Sequence, residues 1–195
     1  LGTCYPDQIR DNILYELIAA KAEKVPAGSN GVGVHPSFLS GAGLGGESGA
    51  GGVFIGLDLQ TKREELYRAL LEALSCRLRE GVNLLQSVTG IHLSSLYIVG
   101  GGSRNRLWNR IRASMLGIPL LVSDQSENTV LGAAIFAFIG AGLFSGYKEG
   151  IKAMKPTHTV VEPEKSEKDL HDRIYDRYLR MGRKLRRFDM HKDLE

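Results

Sequence analysis

The sequence predicts an α/β fold in which several helices pack on a small sheet. Three observations predict it. Short apolar runs at 95–99 and 119–122 have the length of buried strands, and a helical pattern separates them. A long amphipathic stretch runs from Thr61 to Gly90. A nearly all-apolar helical stretch runs from Ser126 to about Ile139.

Each element has its own signals. Asp11 to Val25 carries Ile13, Leu14, Leu17 and Ile18 at helical spacing and is stopped by Pro26 and Gly28. Val32 to Leu44 reads as extended, and Gly41 to Gly52 is so rich in glycine that it must be a loop. Thr61-Lys62-Arg63-Glu64 has the form of a capping box. It opens a helix with Leu66, Leu70, Leu74, Leu78 and Leu85 along it, ended by Gly90. The strand at 95–99 breaks into Gly100-Gly101-Gly102, a helix follows from Arg106 to about Leu116, and a strand spans Pro119 to Val122. Ser126 can cap the apolar helix, which is expected to be buried on most sides. Ser145 to Met154 predicts a short helix, and Ser166 to about Phe188 a strongly charged one.

Composition narrows the class. A chain of 195 residues fits one good-sized domain or a piece of a larger protein, and 43% hydrophobic with 24% charged residues is an ordinary globular balance. A formal net charge of +3 is too small to argue for nucleic acid. Cys4 and Cys76 are far apart, which suits reduced thiols and a cytoplasmic location. The longest apolar run, Val130 to Leu143, is broken by Gly132, Gly140 and Gly142, so no membrane span is expected. His35, His92, His158, His171 and His191 show no ligand spacing, and no metal site is assigned. The first residue is Leu1 rather than Met, which hints at truncation.

The glycine turn is the candidate functional feature. Glycines between a strand and a helix let backbone N–H groups approach a ligand that side chains would keep away, and a nucleotide suits such a place. One reading is a dinucleotide fold, hence an NAD(P)-dependent oxidoreductase. Gly100-x-Gly102-x-x-Asn105 precedes the helix, and Asp124 lies about 20 residues on, where a ribose-binding acid would stand. Against it, Asn105 replaces the third glycine and the unit sits mid-chain. A purely structural turn is the plain alternative.

Segments on either side add a further reading. Gly52-Val53-Phe54-Ile55-Gly56-Leu57, seven residues, then Glu65-Leu66-Tyr67-Arg68-Ala69-Leu70-Leu71-Glu72 resembles the C-terminal signature of the FGGY carbohydrate kinases. Glu127-Asn128-Thr129-Val130-Leu131-Gly132-Ala133-Ala134 is similar to the family's E-x-(T/A)-x-L-G-A-A helix, whose small residues let helices pack closely at the domain hinge. Gly100 to Asn105 with Leu107-Trp108 resembles its adenosine motif, and Pro26-Ala27-Gly28-Ser29-Asn30-Gly31 its P-x-G-(S/A)-x-G. Gly102-Ser103-Arg104-Asn105-x-Leu107-Trp108-Asn109 with Ile111-Arg112-Ala113 is similar to the family's L-fuculokinases. Gly41 to Glu47 departs from the G-E-R-x-P loop of its xylulokinases.

The resemblance implies the C-terminal lobe of the actin-like ATPase (ribonuclease H-like) fold, incomplete, with residues 1–195 as a single domain and the N-terminal lobe absent. It implies a kinase that moves the γ-phosphoryl group of ATP to a hydroxyl of a ketose, deoxyketose or related sugar. Gly100, Gly101, Gly102, Ser103 and Asn105 would bind the nucleotide, with Ser103 and Arg104 the weaker candidates. Asn105 is equally well read as a helix N-cap. Glu127 is read as an acid complementing a helix dipole, and Trp108 as core or as a wall beside the nucleotide.

Catalysis would need the family's D-x-G-(T/S) phosphate loop and G-D-x aspartate, and neither occurs in this sequence. Leu1-Gly2-Thr3 lies too near Pro26-Ala27-Gly28 to serve as the second phosphate loop, and Glu47, Asp58 and Asp124 match no catalytic motif. The chain alone is therefore expected to be inactive, with no catalytic residue, and Mg2+ with the sugar held mainly by the absent lobe. ATP or ADP is the expected partner, with no nucleic acid and no membrane. A homo-oligomer is left open, because a hinge helix without its covering lobe exposes apolar surface. A non-catalytic nucleotide-binding or partner module is the remaining alternative. Tyr175, Tyr178, Arg177, Arg180, Arg183, Arg186 and Arg187 form a basic, aromatic stripe. Asp169, Asp172 and Asp176 among them favour an ion-paired helix docked on the domain over a nucleic-acid surface.

Overall fold

A computed structural model describes residues 13–38, 51–125 and 127–185. The glycine-rich stretch at 41–50, the capping of the apolar helix by Ser126, and Cys4, Glu47 and His191 lie outside the described residues. The elements run α1 (Ile13–Ala22), β1 (Gly33–Pro36), β2 (Gly52–Ile55), α2 (Arg63–Thr89), β3 (Leu96–Ile98), α3 (Arg106–Leu116), β4 (Leu120–Ser123), α4 (Asn128–Gly140), α5 (Tyr147–Met154), β5 (His158–Val161) and α6 (Lys168–Leu185). The strands form two sheets rather than one. β1 and β2 pair antiparallel, Val34 opposite Phe54. β3 and β4 pair parallel, Tyr97 opposite Leu121, with α3 as the crossover, and β5 adds an antiparallel edge. β5 has no alternating apolar signal and goes unread in the sequence. It is held by pairing with β4 and by hydroxyls of Thr157 and Thr159 that donate to Asp124 at 2.6 and 3.1 Å.

The helix α2 is the axis of the molecule. The leucines singled out along it are not its buried face: Leu66, Leu70, Leu74 and Leu78 are half-buried and Leu85 is exposed. Elements pack around its first half on several sides, so small or paired side chains fill the tightest places. Ala69 and Ala73 meet Val32 and Val34 at β1. Leu71 meets Ala22 of α1 with Leu107 and Ile111 of α3. Cys76 meets Met115 of α3 and Ile174, Tyr175, Tyr178 and Met181 of α6. The cap also shifts by one residue from the sequence reading. The Glu65 carboxylate accepts from the Lys62 N–H at 2.8 Å, while the Thr61 hydroxyl closes a turn on Asp58 instead. Gly90, at φ 70°, ends the helix in the left-handed conformation.

The turn before β1 is fixed by the same helix. Residues 28–31 take φ of 89°, 52°, 52° and 94°, so Ser29 and Asn30 stand where L side chains are rarely found. Glu72 holds them there. Its carboxylate accepts from the Gly28 N–H at 2.9 Å, the Ser29 hydroxyl at 3.0 Å and Arg68 Nε at 3.0 Å. Arg68 in turn donates to the Ala22 carbonyl, closing α1 onto α2. Glu65 accepts from the Asn30 amide at 2.7 Å.

The charged helix α6 docks by one face. His171, Ile174, Tyr175, Tyr178, Met181 and Gly182 are buried, so its tyrosines serve the core. Asp172 pairs with Arg79 at 2.7 Å and with Lys168 at 2.5 Å, and Arg177 donates to the carbonyls of Gly28 and Val32. The apolar helix α4 is the reverse. It is not buried on most sides: Ile135 is its one buried residue, and Val130 and Phe136 are 62% and 73% exposed. Its close contact is with α5, where a Cβ on Gly150 would stand 2.6 Å from Ile135 Cγ2, whereas Gly132 has open space beside it. Among the described residues no helix is long and apolar enough to cross a membrane.

Two outcomes follow. Glu72→Ala strands Arg68 and two donors in the interior, and urea titration should show about 3–5 kcal/mol of stability lost. The exposed face of α4 should drive concentration-dependent association that Phe136→Lys reduces. A monodisperse wild-type monomer at high concentration by light scattering would contradict the second.

Candidate nucleotide-binding site

β3 ends at Ile98, and the glycines then turn the chain into a short 3-10 segment, Gly101–Arg104, before α3 begins. Gly100 reverses direction at φ 85°, ψ −177°, a conformation open to glycine alone. Gly102 is glycine for a different reason: a Cβ there would lie 2.8 Å from the Trp108 ring. Gly101 has neither reason. Its φ is ordinary and a Cβ would meet nothing within 4 Å. All three are exposed, so the space beside Gly101 is open and bounded by bare backbone.

The turn is closed from within. Ser103 is buried, its hydroxyl donates to the Gly100 carbonyl at 2.7 Å, and its N–H donates to the same oxygen at 3.0 Å. Asn105 caps α3, its Oδ1 accepting from the Trp108 N–H at 3.0 Å. Its Nδ2 donates to the Tyr67 hydroxyl at 2.8 Å, tying the turn to α2. Burial holds the Tyr67 phenol above the usual tyrosine range, so it stays protonated with its own hydrogen to give. Trp108 is half-buried and donates from Nε1 to Ser75 of α2 at 3.2 Å.

Beneath the turn lies a polar stripe on α3. Asn109 Nδ2 donates to the Ser103 carbonyl at 2.7 Å. Arg112 donates to the Gly102 carbonyl at 3.0 Å and to Asn109 Oδ1 at 2.5 Å. Its guanidinium lies 4.1 Å over the Trp108 ring. Arg112 is only 7% exposed, its Nε has no hydrogen-bond partner, and no carboxylate among the described residues pairs with it. Burial pulls its pKa down to about 10, so it remains charged at neutral pH. Sequence reasoning gave Tyr67, Asn109 and Arg112 no role. Asn105, Asn109 and Arg112 share one helical face at i, i+4 and i+7, and that spacing was the signal available. Tyr67 carries no such signal, because its partner is far away in sequence.

The remaining candidates sit at the rim or elsewhere. Arg104 reaches Glu127 at 3.7 Å with both side chains more than half exposed, a contact of little energetic weight. Glu127 precedes α4 and makes no capping hydrogen bond. Asp124 is exposed and accepts from the hydroxyls of Thr157, just before β5, and Thr159 within it, one on each carboxylate oxygen. Asp58 is a turn residue, held well below the usual carboxylate range by the Gln60 N–H and the Thr61 hydroxyl. Among the described residues no group of His, Cys, Asp or Glu could hold a metal ion.

β3, α3 and β4 form a parallel strand–helix–strand unit that carries an exposed glycine turn, an arrangement suited to a nucleotide. Residues 5–141 match the FGGY family of carbohydrate kinases, C-terminal domain, and the chain belongs to that family. It is 42% identical over 108 residues to the L-fuculokinase of Haemophilus influenzae, covering 55% of this chain and 23% of that protein. It is 37% identical over 135 residues to the L-fuculokinase of Escherichia coli K12, covering 69% of this chain and 27% of that protein. The crystal structure of xylulose kinase from Rhodospirillum rubrum superposes with a TM-score of 0.74 at 27% identity, covering 97% of this chain and 37% of that one. The chain thus spans about a quarter to a third of the length of these relatives and has the fold of part of an actin-like sugar kinase.

The cap gives a direct check. Asn105→Ala removes the bond to the Trp108 N–H and the bond to Tyr67, and should cost about 1–2 kcal/mol in urea titration. Tyr67→Phe, which loses only the second, should cost less.

Proposed function

We propose that this chain is the ATP-binding part of a sugar kinase and that Gly100, Gly101, Gly102, Ser103 and Asn105 form the adenosine side of its nucleotide site. The observation that carries this reading is Gly101. Nothing in the described residues requires glycine there, and a side chain would occupy the open space that a ligand needs. Gly101 and Gly102 would face the adenosine and α-phosphate with backbone. Ser103 contributes by closing the turn and leaves contact with the ligand to its main chain. Asn105 orients α3 so that the helix N-terminus and the turn address one point, and the Tyr67 hydroxyl stands beside it.

The whole protein would transfer the γ-phosphoryl group of ATP to a hydroxyl of a ketose, deoxyketose or related sugar. The relatives' names, L-fuculokinase and xylulose kinase, carry different sugars, so the class and not the individual sugar is proposed. Mg2+ would neutralise phosphate charge during transfer. Among the described residues no cluster suits the ion, and its ligands, the γ-phosphate loop and the catalytic aspartate are assigned to the rest of the protein. On this reading residues 1–195 act as one domain that holds ATP or ADP and does not phosphorylate sugar alone. The dinucleotide alternative is not favoured, because Asp124 is engaged by Thr157 and Thr159.

Calorimetry with ATP, ADP and NAD tests the reading. ATP and ADP should bind and NAD should bind more weakly; NAD binding tighter than ADP would overturn it. Gly101→Val should weaken ADP binding tenfold or more without lowering the melting temperature, since the added side chain enters open space. Unchanged ADP affinity in that variant would move the nucleotide away from this turn.

A further inference from the structure

Arg112 is the buried ion that nothing in the described residues balances. Charged side chains are almost never this enclosed without an opposite charge, because removing a guanidinium from water is expensive. Arg112 accepts that cost with one carbonyl, one amide oxygen and the face of an indole as partners. Its Nε has none. The carbonyl it holds belongs to Gly102, and the neighbouring carbonyl of Ser103 is held by Asn109, which Arg112 also contacts. Two successive carbonyls of the turn are therefore drawn toward the interior, while Gly101 faces the open side.

We infer that Arg112 is a positioning residue for the nucleotide, one that sets the shape of the glycine turn and supplies through it the positive charge that favours a phosphate-bearing ligand over a neutral nucleoside. The inference rests on the reading of the turn as a nucleotide site. A buried charge keeps its influence across one layer of backbone, because the interior screens it far less than water does. An arriving phosphate supplies the counter-charge that the described residues lack, without touching Arg112. A merely structural arginine would support adenosine and ADP alike. A charge-supplying one separates them.

The test measures adenosine and ADP affinity for wild type, Arg112→Lys and Arg112→Gln, with melting temperatures as the control for folding. Arg112→Gln keeps a donor near the Gly102 carbonyl and removes the charge; it should lower ADP affinity about tenfold and leave adenosine within about threefold. Arg112→Lys keeps the charge and should retain the ADP preference of wild type. Equal losses of both ligands in Arg112→Gln, or loss of the preference in Arg112→Lys, would overturn the inference. If Arg112→Gln does not fold, Arg112→Met, which also removes the charge and fills much the same space, is held to the same limits. Failure of wild type to bind either ligand would instead overturn the nucleotide reading itself, and this inference with it.

Discussion

The Glu72 carboxylate is the contact on which the rest of the structure depends. It is buried, and it satisfies the Gly28 N–H, the Ser29 hydroxyl and Arg68 together. Two non-glycine residues in the left-handed region cost of order 1 kcal/mol or more each, and such strain persists only where surroundings over-determine it. Glu72 supplies that determination from the middle of α2. Glu65 adds a hold on Asn30, and Gly56 presses its backbone against the Gly31 carbonyl, where a Cβ would stand 2.6 Å away. Gly56, Glu65 and Glu72 belong to one stretch of sequence well downstream of that turn, and all three converge on it. The spacing of the signature from Gly52 to Glu72 is thereby given a physical meaning.

That anchoring sets the register of α2, and α2 builds the site from the other side. Arg68 and Glu72 point toward α1 and the left-handed turn. Tyr67, Leu71 and Ser75 lie on the neighbouring stripe and meet α3 and the glycine turn. A helix rotated by one residue would take Tyr67 from Asn105 and Ser75 from Trp108 together. The two ends of the sequence motif are thus mechanically connected to the glycine turn, although none of its residues lies in it. The glycine turn owes its shape to two kinds of support, hydrogen bonds from α2 and the Asn109–Arg112 pair beneath it.

Much of the fold was legible because its signals are local. Apolar spacing and Gly90 marked α2, Asn105 marked the start of α3, and the pattern after Gly146 marked α5. Where readings failed, a distant partner decided. The Thr61 cap lost to Glu65, because Asp58 competes for the Thr61 hydroxyl. The leucine stripe of α2 misnamed the buried face, because neighbours surround the helix and the tightest contacts fall on Ala69, Ala73 and Cys76. β5 carries weak strand character and exists through its pairing with β4 and the Asp124 clamp. The nearly all-apolar pattern of α4 suggested burial on most sides, yet Ile135 is its one buried residue and its close approach is to Gly150 of α5.

By itself the sequence determined the α/β class, the order of most elements, the family through its ordered motifs, and the place of the glycine turn. Backbone conformational preference and apolar period are properties of adjacent residues, and they can be read without the fold. Only the tertiary structure decided what those residues do for one another. It assigned Asn105 to Trp108 and Tyr67 at once, paired Asp124 with Thr157 and Thr159, and placed the unbalanced charge of Arg112 under the Gly102 carbonyl. The reason is that burial and pairing are set by partners dozens of residues away, and the energy of a polar or charged group depends on them more than on its own identity.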